Sequence, residues 1–235
     1  MTPKEQGQER KELDFGKIEY LISDWDGTLA DSMPAYTESF VKTLEETLNI
    51  QREDSQKYYL SSAGEPLSYQ FREAARRFAK VITDSTYLEN KFWRKLEGFK
   101  PDVLPGAKEF LAQVKKRGVK IIIWSGTRAD ILEEKIRLLS FSDLIDYAIG
   151  SEPGNLNLVK GPVLFAKIAE HFGISEDELR QKSVVLGDGI GDIKAGIAVG
   201  VPTIGIVGPQ SKDALRTAGA NLILNNLESL TELFD

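Results

Sequence analysis

The sequence predicts an α/β fold: a doubly wound, mostly parallel sheet with an all-helical unit inserted after its first strand. Two observations predict it. Short apolar, β-branched runs alternate with apolar residues at helical spacing, as in sheets covered on both faces. One connection, from Asp26 to Val119, is far too long for a single crossover helix, yet holds no strand pattern.

The elements follow in chain order. Residues 18–24 read as a first buried strand. Across 33–100 the apolar residues repeat on helical spacings: Tyr36, Phe40, Leu44 and Leu48; Leu67, Phe71, Ala74 and Phe78; Leu88, Phe92 and Leu96. Proline marks both borders, at Pro34 and between Phe99 and Pro105, as suits hinges. Phe110, Leu111 and Val114 then space as a helix before a strand over 119–124. Ile131, Leu132, Ile136 and Leu139 make another helix, ahead of a strand at 147–149. Leu164, Ile168 and Phe172 precede a strand at 183–187. Further strands fall at 203–206 and 222–224, and Leu227, Leu230 and Phe234 close the chain as a helix. Gly118, Gly173 and Gly200 stand where helices stop. The expected organisation is a flexible N-terminal arm over 1–16, a discontinuous core over 17–32 and 101–235, and the helical unit over 33–100.

Composition narrows the chemistry. The chain has 235 residues, enough to bury a sizeable core, and a net charge of −6, which opposes nonspecific nucleic-acid binding. An anionic substrate would therefore need positive charge supplied locally. With no cysteine, disulfides, thiolate catalysis and cysteine-ligated zinc are out, and a cytoplasmic setting is expected. The single histidine, His171, sits before Gly173 at a helix end, where a Ser–His–acid triad has no use for it. No apolar stretch approaches the ~20 residues of a membrane span, and 1–15 lack a signal-peptide core.

Two aspartate pairs stand out. Asp24 and Asp26 follow the first strand, and Asp188 and Asp192 follow the 183–187 strand. Ligands of open parallel sheets bind beyond the strands' carboxyl ends. Four carboxylates gathered there would repel one another unless a hard cation sat among them, and Mg²⁺ suits all-oxygen donors. Gly187-x-Gly189-x-Gly191 mimics the start of a dinucleotide fingerprint, but its third glycine is missing and two acids would repel a pyrophosphate. Ser125-Gly126-Thr127-Arg128, after the second core strand, offers hydroxyls and amides to an anion at an expected strand-to-helix turn. Lys160, before a helix-start proline, brings a cation to the same edge.

These residues resemble the haloacid dehalogenase-like hydrolase superfamily, in its phosphoglycolate-phosphatase-like branch. The likeness runs from Ile18 to Phe234 and rests on the Asp24-Trp25-Asp26-Gly27-Thr28 stretch, Ser125, Lys160, and the Asp188/Asp192 pair. It implies a Rossmann-like core with a helical cap domain, and hydrolysis of a small phosphorylated metabolite with Mg²⁺. Asp24 is then nucleophile and metal ligand. Asp26 is general acid/base and lends its carbonyl to the metal, which Asp188 and Asp192 also hold. Ser125, the Gly126 amide and Lys160 grip the phosphoryl group. Gly64, Glu65 and Arg72 are expected to read the rest of the substrate. The pattern departs from the family at Gly126, usually asparagine, at Gly161 after the lysine, and at Gly189 and Gly191. A phosphomutase on the same scaffold and a non-catalytic, receiver-like regulator are the alternatives. Neither membrane nor nucleic acid is an expected partner.

Overall fold

The computed structural model describes residues 13–152 and 159–234. Of the arm expected over 1–16, residues 1–12 lie outside that range. Beyond them, Leu13 and Phe15 pack on the core, and the Phe15 ring meets Phe234 edge-on at 5.1 Å.

The chain enters the sheet at β1 (Tyr20–Ser23), passes through the two-residue β2 (Ala30–Asp31), and builds four helices: α1 (Met33–Leu48), α2 (Arg52–Ser61), α3 (Leu67–Arg77) and α4 (Ser85–Arg94). It returns through β3 (Asp102–Val103) to α5 (Ala107–Lys116), β4 (Lys120–Arg128), α6 (Ala129–Leu138) and β5 (Tyr147–Ser151). Then come α7 (Pro162–Phe172), α8 (Glu176–Lys182), β6 (Ser183–Gly187), α9 (Ile190–Ala198), β7 (Thr203–Ile206), α10 (Lys212–Ala218), β8 (Leu222–Leu224) and α11 (Glu228–Thr231). Six strands form one parallel sheet in the order β5-β4-β1-β6-β7-β8.

Period-two alternation feeds both faces of that sheet. Leu21, Ile121, Ile123, Val184 and Leu186 pack with Phe110, Val114, Leu132 and Leu230 on one side. Ile22, Ile122, Trp124 and Val185 pack with Leu164, Phe165, Ile168 and Ala195 on the other. Each such fully buried aliphatic side chain stabilises the fold by about 1.5–3 kcal/mol. His171 ends α7 stacked on Tyr147 at 3.8 Å, a packing role.

The four helices over 33–94 hold a core of their own, centred on Phe40, which stacks on Phe71 at 4.7 Å. They join the sheet through a ribbon that sequence patterning did not foresee. β2 and β3 pair antiparallel, Ala30 with Val103 and Asp31 with Asp102, so both passages run side by side. A second difference concerns β4. It runs past 124 to Arg128, with its register against β5 shifting between Trp124 and Arg128, so Ser125 and Thr127 lie on an irregular strand end, not in a turn.

Candidate active site

β1 and β6 are neighbours, so their carboxyl ends adjoin, and the Asp24 amide donates to the Leu186 carbonyl at 2.8 Å. Between the two aspartates Trp25 turns inward, fully buried and edge-on to Phe141 at 5.2 Å. This anchor leaves Asp24 and Asp26 to line a cavity over the sheet edge. Gly27 holds φ +85°, and a Cβ there would come within 2.6 Å of Asp188 Oδ2, so both the bend and the approach require glycine. Thr28 Oγ1 donates to Asp188 Oδ1 at 2.7 Å and accepts from the Asp188 amide at 3.1 Å, tying the two loops together.

Three carboxylates converge rather than the four expected. Oxygens of Asp24, Asp188 and Asp192 lie within 4.8 Å of one another, and the residues are 5%, 5% and 1% exposed. Asp192, in the first turn of α9, accepts from the Gly189 amide at 3.0 Å. Lys160 Nζ bridges Asp24 Oδ1 at 2.6 Å and Asp192 Oδ1 at 2.7 Å. The Asp26 carboxylate stands apart from this cluster. Ser32 donates to its Oδ1 at 2.6 Å, while Thr127 and Ser125 donate to its Oδ2 at 2.7 and 3.2 Å. The Asp26 side chain is therefore not one of the grouped carboxylates. The cause is local: the main chain folds back after Trp25, with the Leu29 and Ala30 amides on its carbonyl, and this turns Asp26 towards β4.

The electrostatics of the cluster favour a cation. Burial, then the Asp192 charge, pushes the Asp24 carboxyl well above its ordinary range, with Lys160 opposing only in part. The same two causes raise Asp188 to about 7, against the Thr28 hydrogen bond and Lys160. Burial works against the Lys160 charge, but Asp192 and Asp24 outweigh it and raise its pKa. One ammonium does not balance three buried carboxylates. Their all-oxygen donor set fits a hard divalent ion.

The cavity, about 50 Å³, is roofed by the helical unit: Tyr36, Tyr59, Ala63, Gly64, Glu65, Gln70 and Trp93 line it with Ser125, Gly126 and Thr127. A larger cleft of about 610 Å³ opens elsewhere between the core and α1, near Pro34 and Leu104, and none of the four aspartates lines it. The 63–65 segment rests directly on core glycines. A Cβ on Gly126 would lie 2.8 Å from the Gly64 carbonyl oxygen, and one on Gly191 3.3 Å from that of Ala63. Gly64 and Glu65 thus reach the site. Arg72 does not: it is exposed on α3, beside Ile82–Ser85, because the neighbouring Phe71 takes the inward position. Thr28, Tyr36 and Trp93 were not singled out from sequence. Thr28 sits inside the first aspartate motif, which was a usable signal; Tyr36 and Trp93 look like ordinary core aromatics.

Residues 18–200 match the haloacid dehalogenase-like hydrolase family, and the chain belongs to it. It is thus a hydrolase, as the sequence motifs implied. Among its relatives, a protein of Caldanaerobacter subterraneus subsp. tengcongensis, provisionally named pyrophosphatase PpaX, is 27% identical, covering 81% of this chain and 82% of the relative. A phosphoglycolate phosphatase of Rhodospirillum rubrum is 23% identical over 89% and 88%. A hydrolase structure from Pseudomonas syringae shares the fold with a TM-score of 0.78, at 24% identity over 92% of this chain and 97% of that one. No helix among the described residues is long and apolar enough to cross a membrane.

Proposed function

We propose that this chain is a Mg²⁺-dependent phosphatase that cleaves a small phosphomonoester through a phosphoaspartate on Asp24. One observation carries the reading: two carboxylates two residues apart have separate surroundings. Asp24 belongs to the cation-seeking cluster, while Asp26 is held outside it by three hydroxyls. A nucleophile that must stay ionised and a group that must exchange a proton need such different settings.

Asp24, Asp188, Asp192 and the Asp26 carbonyl would hold the ion. Bound there, it supplies charge neutralisation that lets an anionic nucleophile meet an anionic phosphoryl group. Asp24 Oδ attacks phosphorus as the ester P–O bond breaks, and Asp26 delivers its proton to the departing oxygen. Water then attacks the phosphoaspartate, giving a proton back to Asp26 and freeing inorganic phosphate. Ser125, the Gly126 amide and Lys160 bind the transferring oxygens, so the charge they carry is met by fixed donors. The helical unit acts as a cap whose 63–65 segment closes the site against bulk water.

The test is phosphate release from an aryl phosphomonoester such as p-nitrophenyl phosphate with EDTA and after Mg²⁺ is restored, together with mass-spectrometric trapping of the phosphoenzyme. Chelation should stop turnover and Mg²⁺ restore it. Asp24→Asn should remove both turnover and the added phosphoryl mass. Full turnover by Asp24→Asn would end the proposal.

A further inference from the structure

We infer that Lys135 is a positioning residue for proton transfer at Asp26: from core helix α6 it fixes the Tyr36 ring of the cap, and Tyr36 presents its hydroxyl to the hydrogen-bonded Asp26–Thr127 pair. This rests on the phosphatase reading above and adds to its proton-transfer machinery a cation outside the carboxylate cluster.

Lys135 is only 6% exposed, and a lysine is rarely so buried without an acidic partner. Among the described residues its one hydrogen bond goes to the Phe99 carbonyl, at 3.1 Å. Ring faces supply further contacts: Nζ stands 5.1 Å from the centre of the Phe99 ring and 5.9 Å from that of Tyr36. A desolvated cation over an aromatic face is held by the ring quadrupole. Burial pushes the Lys135 ammonium below its ordinary range, and the Asp26 charge, then that of Glu134, opposes it. Asp26 is thus the acid that most favours this buried charge, and Tyr36 meets both, the lysine with its ring and the aspartate with its hydroxyl.

Tyr36 comes from α1, the first helix of the cap. Phe92, Trp93 and Phe99 meet its ring edge-on at 5.6, 5.5 and 6.4 Å. All three precede β3, so they place Tyr36 within the cap and not against the core. Lys135 supplies the tie to the core, on the Tyr36 ring and on the carbonyl of Phe99, where the chain leaves the cap. The Tyr36 hydroxyl faces Thr127 and Asp26. Burial, then the Asp26 charge, pushes it well above its ordinary range, so the phenol keeps its proton and can donate. Thr127 spends its own proton on Asp26, at 2.7 Å, which leaves its oxygen to accept from Tyr36. Without the ammonium the ring is free to shift and the acid is misaimed, while Asp24 and the phosphoryl donors stay as they were.

The full chain with saturating Mg²⁺ is assayed by kcat/KM on phenyl phosphate, whose leaving oxygen needs a proton, and on p-nitrophenyl phosphate, whose leaving oxygen scarcely does. Lys135→Met keeps the length of the side chain and removes its charge. It should lower kcat/KM about tenfold for phenyl phosphate, a small part of the ~10²–10⁴ that a general acid supplies, and less than about twofold for p-nitrophenyl phosphate. Lys135→Arg should regain most of the loss. A lysine with only a structural role would lower both equally, since folding and cap seating are common to the two esters. Should Lys135→Met not fold, Tyr36→Phe, which keeps the ring and removes the hydroxyl, must show the same selective loss. Equal losses on both esters, or none on phenyl phosphate, in the folded variant overturn the inference and leave the phosphatase standing. No turnover of either ester by the parent protein overturns both.

Discussion

Replacing Gly126 with alanine asks whether chemistry needs the 63–65 segment seated as it is. The added Cβ would stand 2.8 Å from the Gly64 carbonyl oxygen and 3.2 Å from that of Glu65, where ordinary contact begins at 3.4 Å. The segment must therefore withdraw by 3.4 − 2.8, or 0.6 Å, and both obstacles are backbone. Overpacking of this kind costs about 1–3 kcal/mol, which shifts a closed–open balance about 5- to 150-fold. The expected result is a fall of that size in kcat/KM for a small ester, with a melting temperature near that of the parent protein, since the contact belongs to no hydrophobic core. Gly191→Ala, 3.3 Å from the Ala63 oxygen, needs only a slight adjustment and should cost far less. Parallel steady-state kinetics and thermal melts on the two variants decide the matter. An unchanged Gly126→Ala enzyme, or a Gly191→Ala enzyme that is the worse of the pair, refutes the reasoning.

Three other outcomes are expected. The folded-state pKa of Asp188, about 7, lies above its ordinary 3.8, so folded metal-free protein holds that proton more tightly than unfolded chain does. Stability from this group is therefore greatest below about pH 4 and declines towards pH 7, by up to about 4 kcal/mol before relaxation; in EDTA, Asp188→Asn should melt higher than the parent at pH 7.5 and gain nothing at pH 4, and a parent–variant gap independent of pH would contradict it. Thr127→Val removes the 2.7 Å hydrogen bond to Asp26, and should slow alkyl-ester hydrolysis about 10- to 100-fold while sparing an aryl phosphate that needs little acid help; equal losses on both esters would deny Asp26 its proton. Arg72→Ala, on the outer side of α3, should leave kcat and KM within about twofold, and a larger change in KM would bring that residue back to the substrate.

Much of this architecture was legible because burial leaves a periodic trace. The parallel strands are buried on both faces, so 183–187 and 203–206 appear as mostly apolar runs, opened by Ser183 and Thr203, whose limits coincide with β6 and β7. The Asp24/Asp188/Asp192 cluster was legible because each acid follows such a run. What escaped notice lacks a local trace. β2 and β3 are two residues each, too short for any period. α8 spells Glu-Asp-Glu-Leu-Arg-Gln-Lys, with a single buried residue to announce it. The extension of β4 through Ser125–Arg128 depends on pairing with β5, and the setting of Asp26 depends on hydroxyls 99 and 101 residues away. Arg72 was misplaced because a charged residue beside a core phenylalanine can belong to either helix face until the packing partner is known.

The β2–β3 ribbon has a consequence for the protein's history. Because departure and return occupy adjacent rungs, Ala30 opposite Val103, everything between them hangs from the sheet like a parenthesis. Lengthening, trimming or exchanging that passage leaves the flanking ends where they were, and the carboxylate floor need not register the edit. Selection can thus rewrite which molecules are admitted without reopening the question of how they are broken.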